Sequence, residues 1–147
     1  MTHLIYEPSG MDKSPYPHES FAAKAVSDYL DTDVFFIKRS NTTKSLDLLI
    51  GNVIWEIKSP IGNGKRTMQN NLRIADNQSP NIIINLVRCK MPQAKALSRI
   101  KYELGKANKI KRLLVVLKNG KVITLKLKDK KDASDSIQYR AHLLPLF

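Results

Sequence analysis

"LDLLIGNVIWEIKSP", residues 46–60, decides the fold. Two short apolar runs flank Gly51-Asn52, and a Gly at the first position of a two-residue loop suits a type II′ hairpin turn. In "VIWEIK", Val53, Trp55 and Ile57 alternate with Ile54, Glu56 and Lys58, the period of two expected of a strand. A two-residue loop sets Ile50 against Val53, Leu49 against Ile54, Leu48 against Trp55 and Asp47 against Glu56. The last would be a non-hydrogen-bonded pair, with Cα atoms about 4.5 Å apart and side chains close. Two opposed carboxylates destabilise a hairpin. A divalent cation relieves the repulsion, and Mg²⁺ is typically held by one or two carboxylates plus waters and substrate phosphate. Lys58 follows on the same face, roughly 7 Å along the strand, within reach of water or phosphate oxygen. Asp47, Glu56 and Lys58 are therefore candidate catalytic residues for metal-assisted phosphodiester hydrolysis, with Mg²⁺ or Mn²⁺ as cofactor. The alternative is an ordinary surface ion pair, worth less than about 1 kcal/mol.

Outward from this hairpin the chain reads as α/β, with helices packed on a central mixed sheet. Residues 1–17 form an irregular lead-in broken by Pro8, Gly10, Pro15 and Pro17. A helix runs from about residue 17 or 18 to Leu30, and "DTD" ends it. Strands follow at 34–39, 46–50 and 53–58. "PIGNGK" at 60–65 is a loop, with two glycines and a proline in so short a stretch. A second helix covers 67–77, an apolar central strand 81–88 and a third helix 92–106. Asn119-Gly120 signals a C-terminal hairpin. The order is αβββαβα followed by that hairpin. It makes one domain over 1–147, with a core at 18–128 and a polar tail at 129–147.

Glu19 shares a helical stripe with Ala22, Ala23, Val26 and Leu30. It is either a third catalytic and metal-binding carboxylate or a first-turn acid opposing the helix dipole. On the second helix Thr67, Asn70, Asn71, Ile74 and Gln78 share one face, opposite Met68, Leu72 and Ala75. Thr67, Asn70 and Asn71 are candidate substrate contacts, and Arg73 and Lys65 candidate phosphate contacts. His3, His18 and His142 never fall at metal-ligand spacing, so zinc is not expected.

Charge indicates the partner. The chain has 25 Lys and Arg against 13 Asp and Glu, unevenly placed. Residues 1–60 hold 6 basic and 8 acidic side chains, and residues 61–147 hold 19 and 5. Clustered positive charge attracts polyanions, nucleic acid above all. Cys89 is the lone cysteine, so no internal disulfide forms. No apolar stretch approaches the ~18 residues of a spanning helix, and the N-terminus has no signal-peptide pattern.

Helix, hairpin and "LDLLIGNVIWEIK" resemble the PD-(D/E)XK nuclease superfamily. Within it, "LDLLIGNVIWEIKSP", "RTMQNNLRIADNQS" and "NIIINLVR" are similar to the tRNA-cleaving C-terminal toxin domains of bacterial contact-dependent growth inhibition proteins. The resemblance spans about residues 17–127. By it, Asp47 matches the motif Asp, Glu56 the motif Glu, Lys58 the motif Lys and Glu19 the helix glutamate of many members. Thr67, Asn70 and Asn71 fall where such enzymes place substrate contacts. Leu46 departs from the pattern, standing where the superfamily name has Pro. The resemblance implies a metal-dependent nuclease acting on tRNA in the bacterial cytoplasm, delivered there as part of a secreted toxin. An acidic immunity protein is the implied partner, with no membrane insertion. A DNA endonuclease of the same fold and a non-catalytic nucleic-acid-binding module are the alternatives.

Overall fold

A computed structural model describes residue 3 and residues 5–6, 15–37 and 47–126. In chain order the elements are β1 (Ile5–Tyr6), α1 (Pro17–Leu30), β2 (Val34–Ile37), β3 (Asp47–Ile50), β4 (Val53–Lys58), α2 (Thr67–Gln78), β5 (Asn81–Asn85), α3 (Gln93–Lys106), β6 (Arg112–Val116) and β7 (Val122–Lys126). The strands form one seven-stranded sheet whose spatial order is the chain order, β1 to β7. Pairing is mixed: β1/β2, β4/β5 and β5/β6 are parallel, the other neighbours antiparallel.

Alternation along the strands splits the interior in two. Towards α1 point Leu48, Ile50, Trp55, Ile57, Ile83, Leu114 and Val116, which pack on Ala22, Ala23, Val26 and Leu30. Towards α2 and α3 point Ile82, Ile84, Leu113 and Val115, which pack on Met68, Leu72, Ala75, Ala96, Ile100 and Leu104. The central strand β5 is thus buried on both faces, the reason its sequence is a continuous apolar run. Full burial of each such side chain contributes about 1.5–3 kcal/mol. Trp55 is core on the α1 side, so Glu56 and Lys58 lie on the opposite face of β4.

The β3/β4 register is the expected one: Leu48 pairs with Trp55, Leu49 with Ile54 and Ile50 with Val53. Gly51 takes φ 62° while Asn52 keeps a negative φ, the type II′ signature. Two expectations need correction, and a third is refined. The lead-in is not wholly irregular, because Ile5–Tyr6 adds to β2 as an edge strand. The strand from residue 81 stops at Asn85 and not at residue 88, because the Asn85 side chain takes over. Its Nδ2 donates to the His18 carbonyl at 2.9 Å, and its Oδ1 accepts from the Val87 N–H at 3.3 Å. The last hairpin turns through three residues, with Gly120 N–H on the Leu117 carbonyl at 2.9 Å and Gly120 at φ 89°. The proposed parts of strands at 38–39 and 46, and the tail at 129–147, lie outside the described residues.

Candidate active site

The hairpin positions the site. Its register pairs Leu48 with Trp55, and Asp47 and Glu56 are the next residues outward on the two strands. Asp47 is held from its other side by pairing with Ile37 of β2, and Glu56 by pairing with Ile82 of β5. Both carboxylates sit on the interior strands of the sheet, and both are buried, at 3% and 4% exposure. Carboxylates are rarely this buried without a cation. Lys58 supplies one: its Nζ lies 3.4 Å from Glu56 Oε1. A surface ion pair is excluded, since the two side chains are only 18% and 6% exposed.

Glu19 is placed differently. It lies at the third position of α1, and Oε1 accepts the Tyr16 backbone N–H at 2.8 Å. This closes the open end of the helix, half of a capping box. The side chain is buried and not a solvated first-turn acid. Among the described residues no three His, Cys, Asp or Glu side chains gather as a metal-binding cluster. Proteins typically hold Mg²⁺ by one or two carboxylates, the ion keeping several waters.

Beside this set a cleft of about 730 Å³ opens at the carboxyl end of β4. The start of α1 forms one wall, with Tyr16, His18 and Glu19; Lys58, Ser59 and Arg88 form the rest. Ligands of open α/β sheets gather at such carboxyl ends. Lys58 belongs to both places, touching Glu56 and lining the cleft. Burial pushes the His18 imidazole below its ordinary pKa of 6.5; the Arg88 charge pushes the same way, and Glu19 opposes them. His18 is therefore neutral at pH 7.

The other expected contacts divide. α2 buries Met68, Leu72 and Ala75 and leaves Asn70 exposed, with Thr67 and Asn71 half-buried. Asn71 Nδ2 donates to the Thr67 carbonyl at 2.8 Å, which holds this polar face in order. Arg73 departs from that face: it lines a smaller cavity of about 180 Å³ with Gln69, Asp76, Glu103 and Lys106, between α2 and α3. Lys65 is exposed on the loop before α2. That loop is tied down by Lys90 N–H on the Ile61 carbonyl at 2.9 Å. At Gly62 a Cβ would come 3.1 Å from Thr67 Oγ1, so a side chain there would displace that hydroxyl by a few tenths of an ångström.

Three residues that carry the site's frame have no motif. Asn85 ties the start of α1 to β5, and its only signal is an Asn closing an apolar strand. Arg88 reaches the cleft because the chain turns after Asn85. Asp76 anchors α2 by accepting the N–H groups of Lys109 and Ile110 on Oδ1, at 2.7 and 2.9 Å, and of Asn108 on Oδ2 at 3.1 Å.

Residues 44–122, which contain the hairpin, Asp47, Glu56, Lys58 and α2, match the family described as "Contact-dependent growth inhibition CdiA C-terminal domain". The chain belongs to this family. No curated protein matches it. Among solved structures, this CdiA C-terminal domain is similar to a chain of the "CdiA-CT/CdiI toxin and immunity complex from Burkholderia pseudomallei", with a TM-score of 0.57. The match covers 84% of this chain and 98% of that one, at 16% identity. Likeness at that identity concerns the fold alone. No helix of the described residues is long and apolar enough to cross a membrane.

Proposed function

We propose that this CdiA C-terminal domain is a toxin nuclease of the PD-(D/E)XK type, hydrolysing phosphodiester bonds of tRNA in the cytoplasm of a target bacterium. One observation carries the reading: Asp47 and Glu56 are both buried on the two strands of one hairpin, with Lys58 Nζ 3.4 Å from Glu56. A binding module has no use for buried acids beside a phosphate groove, since they repel the ligand.

Asp47 and Glu56 would hold Mg²⁺ or Mn²⁺, which when bound acidifies water and neutralises charge building on the phosphate. Lys58 orients the attacking water and offers N–H donors to a non-bridging phosphate oxygen. Water adds to phosphorus, the bond to the leaving oxygen breaks, and that oxygen takes up a proton. Glu19 keeps the start of α1 fixed at the wall of the cleft. Thr67, Asn70 and Asn71 present an ordered polar face to the substrate, and Lys65 lies on the loop beside it. Arg73, on the α3 side, would contact phosphate farther out. The formal charge of +12 draws the polyanion in. An acidic immunity protein fits the same charge, and the similar fold comes from a toxin and immunity complex.

The test is incubation with total tRNA and with plasmid DNA, each with Mg²⁺ and with EDTA. Cleavage of tRNA that needs the metal, and that is lost in Asp47→Ala, Glu56→Ala and Lys58→Ala, is the expected result. Cleavage of plasmid alone would replace tRNA by DNA. Binding without cleavage of either would sink the enzymatic reading.

A further inference from the structure

The cleft beside Lys58 has chemistry that phosphodiester hydrolysis alone does not require. Tyr16 precedes α1 as its N-cap, where Ser, Thr, Asp and Asn are the preferred residues. The helix end is closed instead by Glu19, from within the first turn. The Tyr16 ring is 39% exposed and lies parallel to the His18 ring, with centroids 5.5 Å apart and 12° between planes. The pair is held in place from behind, because buried Asn85 donates to the His18 carbonyl at 2.9 Å. Arg88 and Lys58 bring two cations to the same cleft, and Ser59 a hydroxyl. Its volume of about 730 Å³ is within the range of pockets that take small molecules.

A flat aromatic face together with cations and a hydroxyl matches a nucleoside phosphate. Unpaired bases stack on Tyr and His rings, and guanidinium groups hold the backbone. The acid that lines the cleft, Glu19, has Oε1 engaged by the Tyr16 N–H. The geometry points to this cleft as the seat of one unpaired nucleotide next to the bond that is cut, its base against Tyr16 and His18 and its phosphate on Arg88. The words "next to the bond that is cut" rest on the nuclease reading; the nucleotide site itself does not. Lys58 makes the connection, because it touches Glu56 and also lines the cleft. Substrate would then need a flipped or single-stranded position, as at a loop or an end, and uninterrupted duplex would leave the cleft unfilled.

The test uses the full chain and a fluorescein-labelled single-stranded RNA pentamer, with anisotropy read in EDTA so that no cleavage occurs. Tyr16→Ala should weaken binding about tenfold, the loss of one stacked base, and Tyr16→Phe should restore it to within about twofold. Arg88→Gln should weaken binding and lower the logarithmic salt slope by about 0.7, one phosphate contact on a single strand. Tyr102→Ala removes another exposed aromatic, on α3 and outside the cleft, and should change nothing. Blunt duplex RNA should bind wild type and Tyr16→Ala alike. Circular dichroism checks the fold, and if Tyr16→Ala does not fold, Tyr16→Leu keeps the apolar bulk without the aromatic face. Wild-type affinity in the folded non-aromatic variant overturns the inference. Cleavage with Mg²⁺ separates the two ideas. If wild type cleaves while the Tyr16 variant binds as wild type, the nucleotide seat falls and the nuclease stands. If binding follows the expected pattern but nothing is cleaved, the nuclease falls and the seat stands.

Discussion

Replacing Lys58 by Met keeps most of the aliphatic stem and removes the ammonium that lies 3.4 Å from Glu56 Oε1. Breaking a fully buried ion pair costs about 3–5 kcal/mol. An exposed pair is worth only about 0–1 kcal/mol. Here Glu56 is 6% exposed and Lys58 18%, which places the pair between these limits and nearer the buried one. A loss of roughly 2 kcal/mol follows. At about 2–4 °C per kcal/mol for a chain of this size, that lowers Tm by about 4–8 °C in EDTA. A divalent cation between Asp47 and Glu56 supplies positive charge where the ammonium was. It also no longer meets the repulsion of Lys58. The rise in Tm on adding about 10 mM MgCl₂ should therefore be larger in Lys58→Met than in wild type, and should recover half or more of the deficit. Cleavage stays lost, because the group that orients water has gone. Glu56→Gln breaks the same pair and should share part of the deficit, but without the response to Mg²⁺. The assay is differential scanning calorimetry of the three proteins with EDTA and with Mg²⁺. An equal Tm deficit in both conditions would refute the placing of a cation at this pair.

Other outcomes follow from other contacts. Asp76→Ala removes the acceptor of three backbone N–H groups in the loop before β6. Part of that loop is open to water, so the expected loss is about 2 kcal/mol rather than the full sum, read by urea unfolding. Binding of tRNA in EDTA should weaken steeply with salt, each phosphate contact adding about 0.7–0.9 to the logarithmic slope; an affinity indifferent to salt would remove the electrostatic basis. His18 binds its proton less tightly in the folded protein than at the ordinary 6.5, because of its burial and Arg88. Unfolding then takes up a proton, so its contribution to stability is complete above 6.5 and is lost as pH falls through the lowered value. His18→Gln should flatten that part of the Tm profile in EDTA.

Where sequence and structure agree, a local rule left one solution. Gly51 fixes the turn, and the turn fixes the register from Ile50/Val53 to Leu48/Trp55. The burial of Lys58 was not legible, because alternation separates faces without saying which is covered. Glu19 shows the limit of a stripe. The spacing places it on the stripe of Ala22, Ala23 and Val26, but the same spacing suits a cap and a ligand, and only the bond from Tyr16 N–H reveals the cap. The strand Ile5–Tyr6 has too few residues to show a period. Asn85 was hidden because its partner His18 is 67 residues away. Asp76 was hidden likewise, its donors lying 32 to 34 residues on.

The strands stand in space in the order in which they occur along the chain. Each new strand therefore adds to the free edge left by the one before, and none has to be threaded between two already joined. A polypeptide emerging end first from a narrow passage could rebuild this sheet as it arrives, from either end, with every partner already waiting at the growing edge. The widest gaps between paired residues belong to the parallel neighbours, such as Ile5 with Val34, Glu56 with Ile82 and Asn81 with Arg112, and these are the slower joins. The β3/β4 hairpin and α2, which carry most of the candidate site residues, are consecutive along the chain. A protein built in this order assembles its candidate site from a contiguous stretch of arriving chain, before the last hairpin has closed the far side.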